Sequence, residues 1–155
     1  MTPTSDEICA RMRRELRFFH FLAEDDLTDV SAYFSCRQLK AGEILWREGD
    51  AATEEAFIVA GRIEVKKETE FAGKQVVIGV YSAGTIVGEL SILDDKPRAV
   101  TAVALQDTDL LLLSRENFEK LLTEHPERGV KLLKGMLLAV STRLRKAFDR
   151  LASIF

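Results

Sequence analysis

Glycines at positions 42, 49, 61, 73, 84 and 88 cut the middle of the chain into short segments rich in β-branched and aromatic residues. No other feature limits the possible folds as strongly. The segments run over 44–46, 56–59, 62–67, 75–81, 99–104 and 108–113. Turn signals about every 8 to 12 residues between such runs mark an antiparallel sandwich or barrel. Within Arg62-Ile63-Glu64-Val65-Lys66 the alternation puts Ile63 and Val65 inward and the charges outward. No motif repeats from segment to segment, which excludes a solenoid.

Helical patterns flank this β region. Ile8, Met12, Leu16 and Phe19 fall on one face of a helix over residues 6 to 22. A second short helix is expected from Asp26 to Phe34, with Leu27, Val30 and Phe34 inward. Ser114 can cap a helix over Arg115 to Leu122. Pro126 suits the first turn of another, expected from about Glu127 to the end. In that last helix Leu133, Leu137, Val140, Leu144, Ala147, Leu151 and Ile154 alternate spacings of four and three, an a/d seam held for three heptads. The expected fold is therefore mainly β with flanking helices: an antiparallel β-roll or jelly-roll barrel at about 37–114, preceded by a helical segment and followed by two helices over 115–155.

Length and composition fit one globular domain: 155 residues, 46% hydrophobic and 30% charged. No linker divides the chain, so residues 1–155 are read as a single domain. A net charge of -3 gives no general attraction to nucleic acid or membranes. Apolar runs such as Leu110 to Leu113 fall far short of the roughly 18 residues that span a bilayer, so no membrane insertion is expected. Cys9 and Cys36 lack CxxC spacing and predict free thiols in a reducing, cytoplasmic setting rather than a disulfide framework. His20 and His125 are far apart, so no metal site is expected. There is no nucleophile elbow, phosphate-loop motif or pair of catalytic acids at helical spacing, which points to a binder rather than an enzyme.

The segment Val87-Gly88-Glu89-Leu90-Ser91-Ile92-Leu93-Asp94-Asp95-Lys96-Pro97-Arg98-Ala99-Val100 carries the chemistry. A carboxylate only accepts hydrogen bonds, so Glu89 suits a ribose hydroxyl. The guanidinium fork of Arg98, nine positions on, matches phosphate oxygens. Gly88 permits a tight turn and a close backbone approach. Taken alone, a glutamate and an arginine nine positions apart favour a simple ion pair beside a turn at Asp94-Asp95 by a wide margin.

The whole segment, however, resembles the phosphate-binding cassette of the cyclic nucleotide-binding domain family. This family includes the bacterial catabolite activator and the regulatory subunits of cAMP-dependent protein kinase. Gly88-Glu89-Leu90-Ser91-Ile92 and Pro97-Arg98-Ala99 match its pattern. Lys40-Ala41-Gly42-Glu43-Ile44-Leu45, Arg47-Glu48-Gly49-Asp50 and Phe57-Ile58-Val59-Ala60-Gly61-Arg62-Ile63-Glu64-Val65 resemble its early strands and turns. The resemblance covers about residues 15 to 150.

It implies that Glu89 accepts from the ribose 2′-hydroxyl and Arg98 pairs with the cyclic phosphate. Backbone amides near Leu90, Ser91 and Ala99 would cradle the phosphate, and Gly88 would let the sugar approach. Ala99, where cGMP-preferring members often carry threonine or serine, tilts the choice of ligand toward cAMP over cGMP. Val87 and Val100 depart from the family pattern, and Val100 would place two extra methyls near the phosphate. No cofactor is implied.

The resulting expectation is a stand-alone cyclic purine nucleotide sensor that relays a helix movement to a separate, unidentified protein effector. It would form a homodimer through its last helix. The alternative is the same fold with a non-binding pocket, acting as a homodimeric interaction module. The last helix is basic, with Arg128, Lys131, Lys134, Arg143, Arg145, Lys146 and Arg150, and is read as a solvated outer face rather than a nucleic-acid surface. No DNA-binding module is expected after it.

Overall fold

A computed structural model describes residues 6, 7, 10, 22–89 and 92–154. Helix α1 (Glu24–Ser31) leads into eight strands: β1 (Ser35–Leu39), β2 (Ile44–Trp46), β3 (Glu54–Ala60), β4 (Arg62–Glu68), β5 (Gln75–Ser82), β6 (Ile86–Val87), β7 (Thr101–Ala104) and β8 (Thr108–Ser114). Helices α2 (Arg115–Glu124) and α3 (Pro126–Ile154) follow. The expected helix over 6 to 22 lies almost wholly outside the described residues.

The strands form two four-stranded antiparallel sheets, in the orders β1-β8-β3-β6 and β2-β7-β4-β5. The barrel is thus two facing sheets rather than one closed wall. Two strands escape the sequence pattern. β1 is a mostly polar edge strand in which only Leu39 is fully buried, and β6 is just two residues long.

The inner strands of the first sheet, β3 and β8, are buried on both faces. Ala56, Ile58, Leu110 and Leu112 pack between the sheets with Ile63, Val65, Ala102 and Ala104. Phe57, Leu111 and Leu113 point the other way, into a cluster with Val30 and Phe34 and with Phe118, Leu121, Leu132 and Met136 of the helices. A strand covered on both sides reads as an unbroken apolar run, which is why Leu110 to Leu113 shows no alternation. Each such side chain contributes about 1.5–3 kcal/mol by leaving water.

The helix boundaries follow from capping. The Ser114 hydroxyl accepts from the Asn117 amide at 3.0 Å, opening α2 as expected. Pro126 opens α3, where its missing N–H is not needed. An added Cβ on Gly129 would lie 2.6 Å from Leu122 Cδ2, so glycine there lets α3 pack closely on α2. Phe34, placed by its spacing in the second expected helix, lies beyond the end of α1 but remains buried.

Two expectations need correction. Cys36 is disulfide-bonded, not a free thiol. The chain's other cysteine, Cys9, lies outside the described residues. The basic residues of α3 are not simply a solvated face either. Lys131 reaches Asp26 Oδ2 at 2.8 Å, and Arg128 reaches Asp29 Oδ2 at 3.0 Å, tying α1 to α3. The hydrogen bond from Lys131 leads in holding the Asp26 carboxyl below its usual range, so this tie weakens as pH falls through that lowered value. No helix among the described residues is long and apolar enough to cross a membrane.

Candidate functional site

The β2–β3 turn and the segment before β7 clamp each other through the backbone. The Arg98 amide donates to the Asp50 carbonyl at 2.8 Å, and the Gly49 amide donates to the Arg98 carbonyl at 2.9 Å. This fixes Arg98 at the end of β2, and its guanidinium lies flat on the Trp46 ring, 3.5 Å from the centroid. Trp46 is the single tryptophan of the chain. Cation–π contact of this kind substitutes in part for lost hydration.

Arg98 is 5% exposed, yet among the described residues neither its Nε nor its Nη1 has a hydrogen-bond partner. Burial pulls its pKa down, against the opposing influence of Glu54, Asp50 and Glu55. An arginine so far from titration remains a cation at neutral pH. A buried cation with free donors is costly unless something anionic meets it.

Gly88 brings the second half of the cassette to the same place. Its φ of 85° lies in the left-handed region. An added Cβ would stand 2.7 Å from the Trp46 ring and 2.8 Å from Arg98 Nη1. No larger residue can sit there without displacing the stack. The Ala56–Val87 pairing of β3 and β6 holds the strand that leads into this turn.

Glu89 does not pair with Arg98. Its Oε1 meets Arg143 Nη1 of α3 at 2.6 Å. Arg143 also donates to the Ile86 carbonyl and stacks on Tyr81, 4.0 Å from the ring centroid. The long last helix is thereby fastened to the cassette through one side chain. Neither Arg143 nor Trp46 and Tyr81 stood out in the sequence. Arg143 is one of many basic residues in α3, and the other two belong to distant strands.

Gly88, Glu89, Arg98, Ala99 and Val100 line one cavity of about 100 Å³, with Trp46, Tyr81 and Arg143 as further walls. Of the expected site residues, Leu90 and Ser91 lie outside the described ones. Val100 is half-buried on the cavity wall, where the sequence placed its extra methyls. Lys67 holds the Ala99 carbonyl at 3.1 Å and Glu48 at 2.9 Å, which braces the floor. Sites for small molecules usually offer about 300 Å³ or more. A groove of about 850 Å³ between β5 and α3 opens on the other side of Tyr81 and Arg143, which line both spaces.

The arrangement brings together one buried guanidinium, one carboxylate and an ion-paired arginine that stands between a small niche and a wide groove. The family model described as the cyclic nucleotide-binding domain matches residues 36–125. The chain is 28% identical over 129 residues to the cyclic AMP receptor protein of Thermus thermophilus, covering 83% of this chain and 57% of that protein. It is 31% identical over 138 residues to the cAMP-dependent protein kinase regulatory subunit of Blastocladiella emersonii, covering 87% of this chain and 34% of that one. The chain therefore spans less than two thirds of the length of either relative.

Among solved structures, a cyclic nucleotide-binding domain from Methylobacillus flagellatus superposes with a TM-score of 0.87 at 25% identity, covering 95% of this chain and 85% of that one. Family model, relatives and fold agree with the geometry of the cassette, and the chain belongs to the cyclic nucleotide-binding domain family.

Proposed function

We propose that the chain is a non-enzymatic sensor of cyclic nucleotide, with cAMP as its ligand. The observation that carries this reading is the buried guanidinium of Arg98, stacked on Trp46 with donors left over. A cyclic phosphate carries the charge and the acceptor oxygens such a group needs. Glu89 takes the ribose hydroxyl, and backbone amides near Leu90, Ser91 and Ala99 complete the cradle. A calorimetric titration with cAMP and with cGMP tests the reading. Heat of binding with cAMP at micromolar to millimolar concentration is expected, and no heat with either nucleotide would overturn it.

The niche is too small for a whole nucleotide while Arg143 stands as its wall. Entry of the ligand therefore moves Arg143 and joins the niche to the groove, which loosens α3 from Glu89. A ligand that favours the loosened helix over the fastened one shifts that equilibrium and relays the signal to a protein effector. Arg143→Ala should bind cAMP more tightly, since the ligand no longer breaks the Arg143–Glu89 pair. That pair is worth about 1 kcal/mol, hence roughly a fivefold fall in Kd. Weaker binding by this variant would mean that Arg143 supports the ligand instead of yielding to it.

Val100→Ala removes two methyls from the cavity wall and should tighten binding about two- to fivefold, within the range of one relieved contact. An unchanged Kd would mean that Val100 does not crowd the ligand.

A second reading is favoured by the Arg143–Glu89 pair itself, which already occupies the carboxylate. In that reading the niche is permanently closed and the domain acts as a homodimeric interaction module. Both readings share the apolar seam of α3, exposed at Leu137, Leu144, Leu151 and Ile154, as the dimer contact.

A further inference from the structure

Glu55 of β3 is the most unusual residue in the fold. It is 0% exposed, and among the described residues neither carboxyl oxygen has a hydrogen-bond partner. It shares its side of β3 with Phe57, which packs beneath the helices with Ile86, Leu132 and Met136. It therefore lies at the seam where α3 docks on the cassette. Opposite it in the ladder stands the uncharged Leu113 of β8. The charged groups facing it are Glu89 after β6, Arg98 before β7 and Arg143 of α3. At the start of α2 the guanidinium of Arg115 is engaged by Asp95 and by the carbonyls of Ile92, Ala52 and Asp94.

Resting on the nucleotide-binding reading, we propose that Glu55 takes part in binding as its neutral acid, so that seating a phosphodiester anion on Arg98 draws a proton into the protein. The charge balance favours it. At a pH where Glu55 is ionised, Arg98 and Arg143 offset it and Glu89 while the niche is closed. A monoanionic ligand then adds one negative charge, and displacement of Arg143 takes a positive one away from Glu55. Both changes favour the protonated carboxyl. Burial, with Glu89 adding to it, already pushes Glu55 up to about 8 before any ligand enters. Glu55 is thus mostly neutral at pH 7, and the ligand competes with its ionisation only above that range.

Affinity should therefore be constant below the pKa of the unliganded protein and fall as pH rises through it, until the still higher pKa of the complex is reached. Between about pH 7 and 9 the cAMP Kd of the wild type should rise roughly tenfold. Calorimetry near pH 8 in two buffers of different ionisation enthalpy should report uptake of about half a proton per nucleotide. Glu55→Gln, which keeps the shape of the neutral acid, should take up no proton and should bind at about pH 9 as the wild type binds at about pH 6.5. The two-buffer measurement needs only the wild type, so it decides the matter even where the variant folds poorly. A wild-type Kd that is flat over this range, or a proton released on binding, overturns the role of Glu55 and leaves nucleotide binding standing. A wild type that binds neither cAMP nor cGMP even at about pH 6.5 overturns the nucleotide-binding reading along with it.

Discussion

Replacing Arg98 by alanine is expected to weaken cAMP binding by roughly thirtyfold or more, because losing one partner of a desolvated charge pair costs about 2–5 kcal/mol. The expectation rests on three local facts. Arg98 is buried, its backbone is clamped to Gly49 and Asp50, and its guanidinium has unpaired donors over Trp46. The variant should nevertheless fold, since the lost cation is replaced by an apolar methyl in a site that offers it no buried counter-ion within hydrogen-bond reach among the described residues. Calorimetry of Arg98→Ala beside the wild type checks it. An affinity within about threefold of the wild type would show that the phosphate is held elsewhere.

The second large effect concerns assembly. Leu144, Leu151 and Ile154 are 53%, 56% and 74% exposed on one stripe of α3, a helix about 40 Å long at 1.5 Å per residue. Its buried residues, Leu132 and Met136 among them, all fall in its first half. Pairing of two copies about a two-fold axis buries the remaining stripe, as an a/d seam does. Leu144→Asp with Leu151→Asp places charges in that contact and should convert a dimer into a folded monomer, with the apparent mass halved in sedimentation. A wild type that sediments as a monomer at high micromolar concentration would end the dimer proposal. A double variant that remains a dimer would move the contact to another face.

What the sequence displays depends on how local each interaction is. The cassette is legible because Gly88, Glu89 and Arg98 lie within one short stretch whose order matches a known pattern. β8 is legible as a strand although it lacks alternation, because its flanking turns and leucine run mark a segment covered on both faces. β1 is not, because an edge strand needs only Leu39 for the core and leaves polar residues elsewhere.

The walls of the niche were hidden for a different reason. Trp46, Tyr81 and Arg143 meet Arg98 and Glu89 only through tertiary packing, and nothing in their own neighbourhoods signals it. Glu55 stands just before the segment 56–59 with nothing in the sequence to single it out, because its burial depends on α3 and the cassette closing over β3. Spacing correctly placed Leu133, Leu137, Leu144 and Leu151 on one stripe. It could not say that Leu132 and Met136, one step around the helix, are the residues facing the core.

Because Trp46 is the only tryptophan and carries Arg98 on its face, its emission reports directly on the proposed phosphate site. The most direct measurement is a titration of wild-type protein with cAMP at about pH 7, below the Glu55 transition, followed through that emission. A saturable change in intensity or wavelength is expected, absent over the same concentrations in Arg98→Ala. Emission that stays flat to millimolar cAMP, or that responds equally in Arg98→Ala, would contradict a phosphate site built on Arg98 and Trp46.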